Sequence, residues 1–151
     1  VKSHQGVIRA FLTRLTRNSA LADDLAQETF LQAHSRRLQL QNPKAARAWL
    51  FQIAYNTYAS HARKEGRRRV LRDTQMERPQ THMATSTGVA LDIERAMATL
   101  PTDMRAAVIL CLSYGMSHSE AAQALSLPLG TVKSHVSRGR KTLQTILVAY
   151  K

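Results

Sequence analysis

Residues 117–141 read SHSEAAQALSLPLGTVKSHVSRGRK, and their spacing decides the fold class. Ser117 and Ser119 are residues of the kind that cap a helix, and Glu120 adds negative charge to the first turn, where the helix dipole favours it. Ala122 is small at a position where two helices are expected to cross closely. Ser126-Leu127-Pro128-Leu129-Gly130 reads as a turn. Thr131 is expected to cap a second helix whose Val132 and Val136 face inward. The pattern is a helix-turn-helix, a common way to lay one helix in the major groove of duplex DNA. Lys133, Ser134, His135, Ser137 and Arg138 then fall on or near the outward face. Arg pairs bidentately with guanine, while Lys and Ser hold phosphates or base edges. Arg140 and Lys141 lie further along, where phosphate contact is expected. Ser126 stands where such a turn tends to be left-handed, which costs a non-glycine residue on the order of 1 kcal/mol. An ordinary helical hairpin with a basic surface is the plain alternative.

Working back from this motif, Thr102 to Leu112 reads as a helix stopped by Gly115, and Ile93, Met97 and Leu100 mark another that ends at Pro101. From about Asp73 to Gly88 the periodicity disappears into Thr, Gln, Pro, Ser and Gly, the composition of a flexible linker. Further upstream, Ala46, Trp49, Leu50, Ile53, Ala54, Thr57, Tyr58 and His61 share one stripe of a long helix. Trp49 belongs to the buried stripe on this reading, as core rather than as a stacking platform. Asn42-Pro43 provides a stop and restart before it, since proline is tolerated in a first helical turn. Leu21, Leu25, Thr29, Phe30 and Ala33 mark a second helix, and Val7, Ile8, Phe11, Leu12 and Leu15 a first, with Asn18-Ser19 between them. The expected fold is therefore all-α. Two small helical domains, residues 1–72 and 91–151, are joined by a flexible linker over 73–90, and the C-terminal domain contains the helix-turn-helix.

The 151 residues carry 22 Lys or Arg against 10 Asp or Glu, a net charge of +12. The excess is spread over the chain: net +5 over residues 1–62, +3 over 63–95 and +4 over 96–151. Two clusters stand out, Arg63, Lys64, Arg67, Arg68, Arg69 and Arg72, and Lys133, Arg138, Arg140 and Lys141. Solvated faces account for one such cluster; two, one of them in a helix-turn-helix, point to a polyanionic partner. No apolar run approaches the roughly 18 residues of a bilayer span. The single Cys111 has no internal disulfide partner, so a stapled secreted scaffold is excluded and a cytoplasmic location is expected. The chain begins at Val1 rather than Met, so some N-terminal sequence is expected to be missing.

Three blocks carry a family resemblance. Leu21-Ala-Asp-Asp-Leu-Ala-Gln-Glu-Thr-Phe-Leu-Gln-Ala33 closely resembles the signature helix of bacterial extracytoplasmic-function (ECF) sigma factors. Ala46-Arg-Ala-Trp-Leu-Phe-Gln-Ile-Ala-Tyr-Asn56 resembles the next block of that family. Leu100-Pro-Thr-Asp-Met-Arg105, Gly115-Met-Ser and Gly130-Thr-Val-Lys-Ser134 resemble its promoter-binding C-terminal domain. The resemblance implies a sigma factor that docks on RNA polymerase core and directs initiation at a two-part promoter. Asp24, Gln27 and Glu28 would bind the clamp of the largest subunit. The minus-ten element would meet Gln41, Asn42 and Lys44 in the loop before the Trp49 helix, Asn56 on that helix, and Arg63. The minus-thirty-five element would meet Thr131, Lys133, Ser134, His135, Ser137 and Arg138. The resemblance also implies an anti-sigma factor as inhibitor, soluble or membrane-anchored.

Other classes fit less well. His4, His34, His61, His82, His118 and His135 form no HxxxH pair, Cys111 has no CxxC partner, and no phosphate-binding glycine loop is present. No enzyme, cofactor, metal or small-molecule substrate is expected. A helix-turn-helix activator of the response-regulator type shares the Gly-Thr-Val-Lys-Ser-His run, yet residues 1–70 do not read as its effector domain.

Overall fold

The computed structural model describes residues 2–72 and 88–148, and the chain divides into two compact units, Val1–His82 and Met83–Lys151. Among the described residues every regular element is helical. Most of the stretch expected as linker lies outside the described residues. Its last three positions, 88–90, are already helix.

The N-terminal unit packs α1 (Lys2–Thr16), α2 (Ser19–Ser35) and α3 (Ala46–Arg72) against one another. Arg17 closes α1 in a left-handed conformation, φ 55°, and Asn18 caps α2 by accepting a hydrogen bond from the Leu21 N–H at 3.1 Å. The polar dipeptide at the first break is thus a device that ends one helix and starts the next. Ile8, Phe11, Leu12 and Leu15 of α1 meet Ala22, Leu25 and Ala33 of α2 and Leu50, Ile53 and Ala54 of α3, all buried. Phe51, absent from the expected stripe, is also in this core; its ring meets Phe11 edge to face at 5.1 Å and 83°. Ala48 and Tyr55 are buried too, so α3 is covered over a wider arc than a single stripe. Buried Thr29 and Thr57 satisfy their hydroxyls on the carbonyls one turn back, Leu25 O at 2.7 Å and Ile53 O at 2.8 Å. Between α2 and α3 lie two single 3₁₀ turns, Arg37–Gln39 and Pro43–Ala45, the second capped by Asn42.

The C-terminal unit contains α4 (Gly88–Thr99), α5 (Thr102–Val108), α6 (His118–Leu125) and α7 (Leu129–Val148). The helix expected to run on to Leu112 widens after Val108 into a π turn over Ile109–Ser113, then stops at Gly115, φ +65°. Met97, Leu100, Met104, Val108, Leu110, Met116, Leu125, Val132 and Val136 form its core. Two details differ from expectation. Helix α7 begins at Leu129, so Thr131 lies within its first turn rather than capping it. The small residues at the helix crossing are the fully buried Ala121 and Ala124, whereas Ala122 is half-buried. The cause is a phase error of one residue, about 100° around the helix.

Candidate functional site

On α2, Asp24, Gln27 and Glu28 are exposed and lie at i, i+3 and i+4, which puts them on one stripe. Leu31 continues that stripe and is 68% exposed. Sequence reading missed it, although its i+7 spacing from Asp24 was the available signal. Glu28 accepts a hydrogen bond from Gln32 Nε2 at 3.0 Å, which steadies its carboxylate. Asp23 belongs elsewhere: it pairs with Arg9 of α1 at 3.0 Å. Both partners are largely exposed, so that pair contributes little to stability. The stripe joins two carboxylates to one solvated leucine, a composition suited to a basic protein partner with an apolar contact.

The second surface runs from the α2–α3 connection along α3. Gln41, Asn42 and Lys44 are exposed in one short loop. Asn42 Oδ1 accepts from the Lys44 N–H at 3.0 Å, and the Ala45 N–H donates to Asn42 O at 2.9 Å, so the loop is held by its own polar group. Asn56 is exposed rather than engaged inside the bundle. Arg63 lies two turns further on the same face and donates to Ser60 Oγ at 3.2 Å. Helical rise puts Asn56 about 15 Å and Arg63 about 25 Å beyond the start of α3. Asn56 and Arg63 share a face of α3 and the loop residues precede its start, so the five are spread along the helix axis and do not converge on a point. From Thr29 to Lys64 the sequence holds six Lys or Arg and no Asp or Glu.

Trp49 is half-buried and does not sit wholly in the core. With Phe30, Ala33, Leu40 and Leu50 it lines a cavity of about 200 Å³ beneath the loop. Placing Trp49 on the apolar stripe was right for its helix face. How far α2 and the loop cover that face is a tertiary matter.

The helix-turn-helix forms the third surface. Ser117 caps α6 and Glu120 completes the capping box, with the Glu120 N–H to Ser117 Oγ at 3.0 Å and the Ser117 N–H to Glu120 Oε1 at 3.3 Å. Ser119 is helix interior. Ser126 adopts φ 55°, ψ 43°, the left-handed turn anticipated at that position. On α7 the structure separates the six expected contact residues. Lys133, Ser134, Ser137 and Arg138 are exposed on one face, and Lys141 extends it. Thr131 and His135 are half-buried, and His135 flanks the inward stripe of Val132, Val136 and Gly139. Its Nδ1 is buried without a hydrogen-bond partner. Cys111, in the π turn, is a half-buried thiol whose pKa is pushed up, first by burial and then by the negative charge of Glu120. It therefore stays protonated and is not an activated nucleophile. Among the described residues no group of three or more His, Cys, Asp or Glu is placed to hold a metal, and no helix is long and apolar enough to cross a membrane.

The sequence profile of Sigma-70 region 2 matches residues 1–68, and that of Sigma-70, region 4, matches residues 90–143. The chain is 36% identical to the ECF RNA polymerase sigma factor EcfG of Rhodopseudomonas palustris, a match covering 93% of this chain and 78% of that protein. It is 31% identical to the ECF RNA polymerase sigma factor SigE of Mycolicibacterium smegmatis over 99% of this chain, but spans only 61% of that protein's length. Among solved structures, the sigma factor RpoE from Bartonella quintana, in complex with the anti-sigma factor NepR, is similar at a TM-score of 0.84 and 33% identity, covering 97% of this chain and 93% of that one. CnrH in complex with the cytosolic domain of CnrY is similar at a TM-score of 0.64 and 26% identity, covering 99% and 86%. Residues 1–68, where an activator of the response-regulator type needs an effector domain, match sigma-70 region 2 instead.

Proposed function

Because this chain belongs to the ECF RNA polymerase sigma factors, we propose that its three surfaces divide the work of initiation among them. The α2 stripe of Asp24, Gln27, Glu28 and Leu31 docks on the clamp of the largest subunit of RNA polymerase core. The acid-free loop and α3 face, with Gln41, Asn42, Lys44, Asn56 and Arg63, hold the opened strand of the minus-ten element. Exposed bases offer both edges and faces to such a surface. The α7 face, with Lys133, Ser134, Ser137 and Arg138, reads the minus-thirty-five element as duplex. Thr131 and His135 steady the start and flank of that helix. The protein acts by positioning and by stabilising melted DNA, in the cytoplasm where polymerase works.

The observation that carries this reading is the segregation of charge. Asp24 and Glu28 put two exposed carboxylates on one stripe of α2, while the loop and α3 as far as Lys64 and the outer face of α7 present cations without acids. The acidic stripe suits a protein partner, and the basic surfaces suit nucleic acid. An anti-sigma factor, soluble or membrane-anchored, is the further partner, since the RpoE and CnrH neighbours are each held by such a complex or by a cytosolic domain. The test is the double variant Asp24→Ala with Glu28→Ala. Both residues are exposed, so melting and helicity stay unchanged. Affinity for core polymerase falls about tenfold or more, as expected when charged contacts across an interface are lost. Unaltered affinity in this variant rejects the assignment of α2.

A further inference from the structure

We propose that the cavity beneath the α2–α3 loop binds a small aromatic carboxylate. None of the residues that line it belongs to the surfaces assigned to polymerase or promoter, so the inference goes beyond that reading and stands apart from it. Size, lining and charge together point to this class of ligand.

Phe30 and Ala33 of α2, Leu40 of the loop, and Trp49 and Leu50 of α3 enclose about 200 Å³. Ala33 and Leu50 are buried, while Phe30, Leu40 and Trp49 are half-buried and leave the space open to solvent on one side. In proteins an apolar cavity of about 150 Å³ stays dry and takes up benzene. The space here admits one aromatic ring with a short arm. Its walls forfeit packing contacts that such a ring restores, and the Trp49 indole offers a flat partner for stacked or edge contact. The roof is held by its own hydrogen bonds: the Leu40 N–H donates to Arg37 O at 3.3 Å, and the Gln39 N–H to Arg36 O at 2.9 Å. Charge then selects among aromatic ligands. The polar lining residues are His4, His34 and Arg37, and no acid is among them. Neither α1 nor the chain from Thr29 to Lys64 holds an Asp or Glu. His34 and Arg37 are exposed, which puts them at the solvent side of the cavity. Arg37 Nη1 donates to His34 O at 2.8 Å, which steadies the guanidinium there. A guanidinium has five N–H donors in a fixed fork, so further donors face a carboxylate at the rim. The ring enters the apolar space, and the charged end keeps part of its water.

Trp49 is the single tryptophan of the chain and reports on the site directly. The experiment titrates the full chain with phenylacetate and follows Trp49 emission and the melting midpoint. A saturable change in emission is expected, with a rise in midpoint by mass action. Phenylacetamide, of the same shape without the charge, should bind about three- to fivefold more weakly, the scale of a solvated ion pair. Arg37→Gln, at an exposed position, should keep the fold and lower phenylacetate affinity by about the same factor while leaving phenylacetamide unchanged. Ala46→Leu fills the space from the start of α3 and should abolish binding of both. Should that variant fail to fold, Arg37→Gln and the paired ligands still decide. Four results each overturn the proposal: no saturable response at about 10 mM phenylacetate, a level at which a specific site of this size is filled; equal affinity for the acid and the amide; unchanged phenylacetate affinity in Arg37→Gln; or binding that survives in folded Ala46→Leu.

Discussion

Single residues in this chain adopt backbone conformations that ordinary side chains avoid, and each sits where a helix must end. Ser126 at φ 55° reverses the chain between α6 and α7, with the Leu127 N–H returning to Ala122 O at 3.0 Å. A Cβ in the left-handed region is strained. Ser126→Gly removes that strain but gives the unfolded chain more freedom. The net expectation is stabilisation of about 0.5–1 kcal/mol, read as a higher midpoint for the C-terminal unit in urea. A lower midpoint shows that the serine side chain contributes something the backbone strain conceals. The position was legible from the motif because the turn geometry is local. His135 was not. Its residue type and position suggested an outward contact, yet it lies half-buried on the flank of the inward stripe.

At the scale of the element, α7 does two jobs with two faces. Lys133, Ser134, Ser137 and Arg138 stand outward, while Val132, Val136 and Gly139 pack inward. Gly139 is a close approach between α7 and α5. A Cβ added there overlaps Val108 Cγ2 of α5 and also meets Leu100 Cδ1 at 3.7 Å. Val108 is buried and β-branched, so it yields only by leaving its preferred rotamer. Gly139→Ala should therefore destabilise the C-terminal unit by about 2 kcal/mol, despite alanine's better helix propensity. Adding Val108→Ala should recover part of that loss, and the non-additivity of the two changes is the measurement that checks the contact. Simple additivity rejects it. Gly139 is not legible in the linear pattern, because a glycine inside a helical run looks like a weak spot until its neighbour is known.

At the scale of the whole molecule, the governing quantity is the net charge of +12 and where its few counter-charges lie. Each unit carries its own basic surface, and the exposed acids Asp24 and Glu28 mark a stripe of α2 that is not suited to DNA. Affinity of the complete initiation complex for promoter should fall steeply with salt, because each neutralised phosphate releases counterions. Arg138→Ala separates two roles within that dependence. If Arg138 reads a base, binding weakens by about 1–3 kcal/mol at one promoter position only. If it holds a phosphate, binding weakens on every sequence and the salt slope drops by about one. Comparing the loss across a promoter library distinguishes the two, and the first is expected from its place on the outward face of α7.

The sequence by itself determined what depends on neighbours along the chain: the succession of helices and most of their breaks, the cap at Ser117 with Glu120 in its first turn, the left-handed Ser126, and the helix-turn-helix. Those features are set by interactions within about one turn, and a linear pattern records them fully. Only the tertiary structure decided which parts of each helix are covered by another. It put Phe51 in the core, left Trp49 above a cavity, drew His135 to a flank, pressed Gly139 against Val108, and exposed Leu31 and Leu38. Periodicity gives the direction of an apolar face, but the width of its cover depends on how closely and at what angle the partner helix packs.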